Sequence, residues 1–226
     1  MEFQNIFPVK ILSTCCDFPD STSDSIIRLI NRLRSIEANR TIDSSETGFT
    51  GDHIVGESAS QIYKLPQLEP LNNYVFSAAK KYLSEISDYS QHMCIHIQKA
   101  WPVIIMKGKG LNSHKHRNAH LSAVYYPKLS SKTDVASIVF EKSDFHEEEF
   151  IPIYSSSKEV RFEVSSNLLI VFPSHLKHYV ASDSLNAENR YSISYDLIIS
   201  TKLQNEFRKS NEMLVTHPGT WKTDFA

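Results

Sequence analysis

The sequence predicts a mainly β fold, a sandwich or jelly roll, with helices placed before the strands. Short β-type runs fill residues 91–200 and are separated by turn signals such as Lys107-Gly108-Lys109-Gly110 and Ser166-Asn167. Many short strands at even spacing are typical of folds that close most of their sheet edges. Two stretches before residue 90 instead carry apolar residues at helical spacing.

Length and composition predict one domain spanning residues 1–226, and they argue against nucleic acid and membranes as binding partners. A chain of 226 residues fits one β sandwich or barrel. With 24 basic against 26 acidic residues there is no basic field for nucleic acid, and no apolar run approaches a membrane span. Cys15, Cys16 and Cys94 are badly spaced for a disulfide framework, and the N-terminus lacks a signal-peptide pattern. We therefore predict a cytoplasmic protein that binds neither nucleic acid nor membrane, and a homodimer is compatible with the sequence.

Residues 1–90 are predicted to form helical support and a loop. Phe7 to Leu12 is an apolar run that predicts a short strand, and Ser21-Thr22-Ser23-Asp24 offers N-cap chemistry for a first helix. Pro70 opens a second helix. We expect both helices to buttress the outside of a sheet. Their predicted buried positions are Ile26, Leu29, Ile30, Leu33, Leu71, Tyr74, Val75, Ala78, Tyr82 and Ile86.

The segment between the helices and the C-terminal tail carry weaker signals. Residues 38–60 are rich in Ser, Thr, Gly and Asp, and a loop this long is usually functional or mobile. We predict that Thr47 to Ser60 forms a lid over the site. Residues 91–200 form the β core, and residues 201–226 form a polar tail. The expected strands lie near 92–98, 100–106, 111–116, 121–127, 135–141, 158–164, 168–172, 177–181 and 190–200.

The strongest chemical signal is a pair of histidines followed by a distant third. His114 and His116 are separated by one residue, so in an extended segment both imidazoles point to the same face. A single metal ion requires this separation. His178 follows Phe172-Pro173-Ser174, where the proline stops one strand before the next begins. An isolated pair of histidines of this kind is more often structural than metal-binding. The prediction of a metal site therefore depends on the pair being followed by the distal histidine in this order.

Together these motifs resemble the iron(II)/2-oxoglutarate dioxygenase superfamily, and most closely its family of 2OG-Fe(II) oxygenases with a His-x-His motif. The resemblance covers residues 93–198 well and the N-terminal part loosely. Arg117 and Ala123 replace a proline and a glycine of the family pattern, and neither change removes a ligand. The matching motifs are His114-Lys115-His116, Leu121-Ser122-Ala123-Val124-Tyr125-Tyr126, Phe172-Pro173-Ser174-His175-Leu176-Lys177-His178 and Arg190-Tyr191-Ser192-Ile193-Ser194.

The resemblance implies a double-stranded β-helix of the jelly-roll, cupin-like type, with iron(II), 2-oxoglutarate and dioxygen as reactants. It implies that His114, His116 and His178 are the catalytic metal ligands. The family's usual carboxylate ligand is absent, and Asn118 is a poor substitute because a neutral amide adds no charge. His175 is a rival to His178, but it lies in a connection, and we assign it at most a supporting or substrate-contacting role.

The co-substrate site is predicted beyond the distal histidine. Arg190 and Ser192 alternate on one strand face, where a guanidinium can grip a carboxylate with two parallel bonds. The alternative is a structural salt bridge from Arg190 to Asp196 or Glu188. Of Tyr125 and Tyr126, one must face inward, and core packing is an equally good interpretation of it.

Three other features are interpreted as non-catalytic. Trp101 is interpreted as packing. His92, Cys94 and His96 share a strand face but lack a downstream partner, so we interpret them as core or edge residues. The run Glu147-Glu148-Glu149 is most simply a solvated loop, and contact with a cationic substrate is the alternative.

The predicted function is hydroxylation of a C–H bond of a small-molecule or amino-acid-type substrate, with release of succinate and CO2. Desaturation and cyclisation stay open as outcomes. One alternative is a cupin-type three-histidine dioxygenase that uses no 2-oxoglutarate. Another is a non-catalytic β-sandwich module with a bound metal, which predicts a closed coordination shell.

Overall fold

The computed structural model describes most of the predicted core. The described residues are 9–38, 48–50, 60–129, 137–141, 159–181, 189–202 and 217–220. The predicted strand at Phe7 to Leu12 lies partly outside them, as do most of the predicted lid and tail and the whole of Glu147-Glu148-Glu149. No helix among the described residues is both long and apolar enough to span a membrane.

Two helices and ten strands make up the described part of the chain. The helices are α1 (Asp20–Ala38) and α2 (Glu69–Ile86). The strands are β1 (Leu12–Cys15), β2 (Gly48–Thr50), β3 (Met93–Ile105), β4 (Leu111–His114), β5 (Leu121–Tyr126), β6 (Ser137–Glu141), β7 (Glu159–Glu163), β8 (Leu168–Pro173), β9 (His178–Val180) and β10 (Arg190–Thr201). Short 3-10 turns occupy Ile62–Lys64, Pro66–Leu68, Ser90–His92 and Pro218–Thr220.

The strands form two antiparallel sheets, which confirms the predicted jelly roll. The major sheet has the order β1-β8-β5-β10-β3-β2, and the minor sheet has the order β4-β9-β6-β7. Apolar side chains from both sheets, including Tyr126, Phe140 and Phe172, are buried together in one cluster between them. Several members of this cluster also line the cavity described below.

Both helices pack on the outer face of the major sheet, as predicted. Ile30 of α1 and Val75 of α2 are fully buried in one cluster with Tyr195 of β10. The predicted cap is wrong in detail, because α1 begins at Asp20 and the Ser21–Asp24 segment lies inside the helix. Ser23 is instead buried, and its hydroxyl donates to Oδ1 of Asn167 at 2.7 Å.

Strand boundaries differ from the prediction mainly in β3. The two expected strands are one, and the register between β3 and β10 shifts between Asp196 and Leu197. A bulge of this kind adds one residue to a strand and reverses the faces of the side chains beyond it. The bulge therefore explains why the alternation in β3 could not be followed through Gln98 from sequence.

Turn chemistry was predicted more accurately than strand ends. Gly108 has a φ of 70° in the predicted Lys107–Gly110 turn, a backbone region that glycine adopts without steric cost. Asn167 has a φ of 62° in the second predicted turn, where asparagine is tolerated better than most residues.

Candidate metal centre

The three predicted histidines come together at one end of the space between the sheets. One ring nitrogen of each lies within 4.8 Å of those of the other two. His114 of β4 and His178 of β9 are direct cross-strand partners, and their ring centroids are 4.4 Å apart. The ring of His116 lies 5.3 Å from that of His114 and 5.4 Å from that of His178.

The hydrogen bonds of two of these rings indicate which nitrogen is free to face a metal. Nδ1 of His114 lies 2.8 Å from the carbonyl oxygen of Asn112, and Nδ1 of His178 lies 3.0 Å from that of Leu176. A carbonyl oxygen can only accept, so each Nδ1 carries the proton. Nε2 then presents its lone pair, which is the arrangement that metal-binding histidines use.

His116 reaches this cluster by a route that alternation did not predict. Strand β4 ends at His114, so His116 lies beyond the strand. Its backbone N–H donates to the carbonyl of Ser174 at 2.9 Å, which ties it to the turn that precedes His178. Its ring stacks on Trp101 with centroids 5.5 Å apart. The prediction that both histidines lie on one strand is therefore wrong, although their proximity is as expected.

Asp196 completes the site, and sequence analysis missed this role. Its Oδ1 lies 2.5 Å from Nδ1 of His116, and both side chains are nearly buried, about 10% and 12% exposed respectively. Every second residue of β10 from Arg190 onward lines the cavity, and Asp196 continues this alternation after Ser192 and Ser194. The alternation could have predicted from the sequence that Asp196 faces the cavity.

Burial keeps the His178 ring uncharged before a metal binds. Burial, and after it the neighbouring His114 ring, lower the pKa of His178 to about 3. The ring is therefore neutral at physiological pH, as a metal ligand must be. Three imidazoles are suitable ligands for iron, although zinc, copper and nickel also accept them.

Arg190 faces the same cavity from β10 and is almost completely buried. Its Nη1 donates to the carbonyl of Ser137 at 2.9 Å, and its guanidinium lies 5.4 Å from the ring centroid of Tyr126. Its Nε is buried without a hydrogen-bond partner among the described residues. Burial lowers the pKa of this guanidinium. The alternative partner Asp196 binds His116 instead, and Glu188 lies outside the described residues.

The two tyrosines face opposite sides of β5. Tyr126 lines the cavity and is buried beside Arg190. The predicted role of Tyr125 in co-substrate binding is wrong, because its hydroxyl donates to Oδ1 of Asn167 at 2.7 Å on the helix side of the sheet. Burial raises the pKa of Tyr125 to about 12.

A cavity of about 640 Å³ connects the histidines with Arg190. Ser192, Asn118 and Trp101 line it. Trp101 also belongs to the buried apolar cluster between the sheets, which agrees with its interpretation as packing. His175 is exposed and does not line the cavity. A cavity of this size accommodates a small co-substrate together with a substrate.

The fold and the histidine cluster define this protein as a jelly roll with a candidate metal centre. Residues 99–196 match the family described as "Putative 2OG-Fe(II) oxygenase". The resemblance to the 2OG-Fe(II) oxygenases is thereby confirmed over these residues, and the predicted cofactors, iron(II) and 2-oxoglutarate, agree with it. Family and fold together support an oxidoreductase. No curated protein sequence matches the chain.

Solved structures share the fold at low sequence identity. AviO1 from Streptomyces viridochromogenes has a TM-score of 0.55 and 10% identity, over 84% of this chain and 89% of that one. HygX from Streptomyces hygroscopicus, with nickel and 2-oxoglutarate bound, has a TM-score of 0.51 and 11% identity, over 84% and 82%. A prolyl hydroxylase from Trichoplax adhaerens, in complex with a hypoxia-inducible-factor peptide, has a TM-score of 0.51 and 15% sequence identity. That match covers 82% of this chain and 83% of the other.

Proposed function

We propose that this chain is an iron(II)- and 2-oxoglutarate-dependent hydroxylase of a C–H bond in a small-molecule or amino-acid-type substrate. The observation that carries the proposal is Arg190, a buried cation at the cavity wall whose Nε lacks a partner among the described residues. A buried charge is costly unless it is paired. The distal carboxylate of 2-oxoglutarate would supply that pair with two parallel bonds.

Each residue of the site would have a defined task in this reaction. Nε2 atoms of His114, His116 and His178 would hold the iron, which when bound supplies the activation of dioxygen. Asp196 would hold the His116 ring in one tautomer and place a negative charge just outside the ligand set. Arg190 and Ser192 would orient 2-oxoglutarate, with the hydroxyl of Tyr126 close to the same carboxylate.

The charges around the cavity support an anionic substrate. Lys99, Lys115 and Arg117 line the cavity in addition to Arg190, and Asp196 is the acidic residue that the described lining contains. Asp196 is already engaged by His116. Three neutral ligands would leave the double positive charge of the metal offset only in part, by Asp196, and the remaining positive charge adds to the attraction. A free amino acid or another carboxylate-bearing metabolite fits this field.

The all-histidine ligand set favours one second candidate, a cupin-type dioxygenase that binds its substrate directly to iron without 2-oxoglutarate. Arg190 argues against it, because a direct-binding site needs no buried cation for a distal carboxylate. The non-catalytic metal module is disfavoured by the open cavity above the histidines, since structural metal sites have closed shells.

Calorimetric titration tests the proposal directly. The protein would be loaded with manganese(II), which replaces iron(II) without reacting with air, and titrated with 2-oxoglutarate. We expect saturable binding of one equivalent that requires the metal. Binding that is equally strong without metal, or absent with it, would contradict the proposed chelation at the histidine site.

A further inference from the structure

A second cluster of metal-binding side chains lies outside the histidine site. Ligand atoms of Cys94, His96 and His217 all lie within 4.8 Å of one another, and the three side chains are partly buried. None of the three lines the cavity that contains His114, His116 and His178. The two clusters share no residue.

The bulge in β3 explains why Cys94 and His96 face inward. Ile95 and Ile97 pack against the helix-covered core, so the alternate residues Cys94 and His96 point to the opposite face of the sheet. The sequence predicts this shared face but indicates no partner downstream. The structure supplies one in His217, whose ring lies 5.2 Å from that of His96.

A short contact with Ser200 orients the ring of His96. Its Nε2 lies 2.7 Å from Oγ of Ser200, which is fully buried and pairs with Cys94 across the strands. The single hydroxyl proton of Ser200 is donated to the carbonyl of Thr201 at 3.1 Å. Ser200 would then accept a hydrogen bond from the Nε2–H of His96, and Nδ1 of His96 would keep its lone pair. A second contact that orients a histidine in this way is typical of metal sites.

We propose that Cys94, His96 and His217 bind a zinc ion that fastens the C-terminal segment 217–220 to the inner face of the major sheet. One thiolate and two imidazoles are a ligand set that zinc prefers, and a fourth position would remain for water. Tetrahedral bond lengths require ligand atoms roughly 3.3–3.6 Å apart. Ligand atoms that all lie within 4.8 Å of one another are compatible with this requirement. Nδ1 of His217 accepts an exposed hydrogen bond from the N–H of Gly219. On binding the ion, His217 would replace this hydrogen bond with a metal bond.

Because three histidines also bind zinc, the test removes that site first. The full-length chain with His114→Ala and His116→Ala would be titrated with zinc(II) alone and then with cobalt(II) alone. We expect one equivalent of each, and a thiolate-to-cobalt charge-transfer absorption in the near ultraviolet. A further Cys94→Ala or His217→Ala substitution should remove both signals. Cys15→Ala, which changes an exposed thiol outside the cluster, should leave them unchanged.

His217→Ala keeps the test decisive if Cys94→Ala fails to fold, because His217 lies on a short segment outside the sheets. In the parent double variant, absence of a bound equivalent would overturn the proposal. Retention of the charge-transfer band in both Cys94→Ala and His217→Ala would overturn it equally. The result does not depend on whether the chain uses 2-oxoglutarate.

Discussion

Nδ1 of His116 lies 2.5 Å from Oδ1 of Asp196, although the two residues are 80 positions apart in the chain. The predicted ligand set lacks the carboxylate that is usual in this superfamily. The carboxylate of Asp196 instead contacts Nδ1 of His116, on the side of the ring away from the proposed metal. From there it would fix the ring and make Nε2 a better donor to a metal. In the proposed site, three histidines would hold the ion and a carboxylate would stay close to it.

Removing this carboxylate should weaken metal binding in two stages. Asp196→Asn keeps an oxygen that accepts from Nδ1 but loses the charge, whereas Asp196→Ala loses both. We expect metal affinity to fall by roughly 10- to 100-fold in the alanine variant, with asparagine in between. Chelator competition with iron(II) under anaerobic conditions measures this. Asp88→Asn, on an exposed turn, is the control. Wild-type affinity in both Asp196 variants would show that the pair is only structural.

Replacing a ligand should have a larger effect than replacing its support. His116→Ala should abolish retention of iron through desalting, while the circular dichroism spectrum stays that of the wild type. His116 is partly exposed, and its loss leaves the apolar cluster between the sheets intact. His175→Ala is the matched control, because His175 is exposed and outside the cavity. Stoichiometric iron in His116→Ala would refute the three-histidine assignment.

Arg190 should be required for 2-oxoglutarate and not for the fold. Arg190→Met should weaken 2-oxoglutarate binding a hundredfold or more, since losing one side of a buried charge pair costs on the order of 2–5 kcal/mol. Calorimetry on the manganese-loaded variant measures the change, and metal affinity should stay near normal.

The same variant separates a binding role from a structural one. Without ligand, Arg190 is a buried charge, so a methionine of similar length should leave the melting temperature unchanged or raise it. Arg117→Met, at the same cavity, should keep 2-oxoglutarate affinity within a few-fold of the wild type. A lower melting temperature combined with normal 2-oxoglutarate affinity in Arg190→Met would mean that the arginine is structural.

The neighbouring tyrosines provide a matched pair of substitutions. Tyr126→Phe should weaken 2-oxoglutarate binding roughly tenfold or more, the effect of losing one hydrogen bond to a charged group. Tyr125→Phe should leave that affinity unchanged and lower the free energy of unfolding by about 1 kcal/mol, because it loses the bond to Asn167. The reverse pattern would show that the inward face of β5 has been assigned wrongly.

Local sequence patterns predicted the structural features that are determined by residues close together in the chain. The helical stripes of α1 and α2, the turn at Gly108 and the strand alternation of β10 were all readable, because each repeats over a few positions. The order of the histidines and Arg190 then predicted the site, since the family resemblance fixes which strands bring them together.

The parts that were missed depend on contacts between distant segments. The partnership of His116 with Asp196 joins β10 to a loop beyond β4, and no local period encodes it. The bulge at Asp196 and Leu197 changes the faces of β3 through one extra residue, which leaves no compositional mark. His217 could not be paired with Cys94 and His96, because more than 100 residues separate it from them.

Release of succinate from 2-oxoglutarate by the iron-loaded protein tests the central claim most directly. The assay would combine 2-oxoglutarate, air and a panel of amino acids and other carboxylate-bearing metabolites, with and without each component. We predict succinate that requires iron, dioxygen and a substrate from the panel, and none from His116→Ala. Oxidation of a substrate at an undiminished rate without 2-oxoglutarate, and with no succinate when it is present, would contradict the claim and favour the direct-binding dioxygenase.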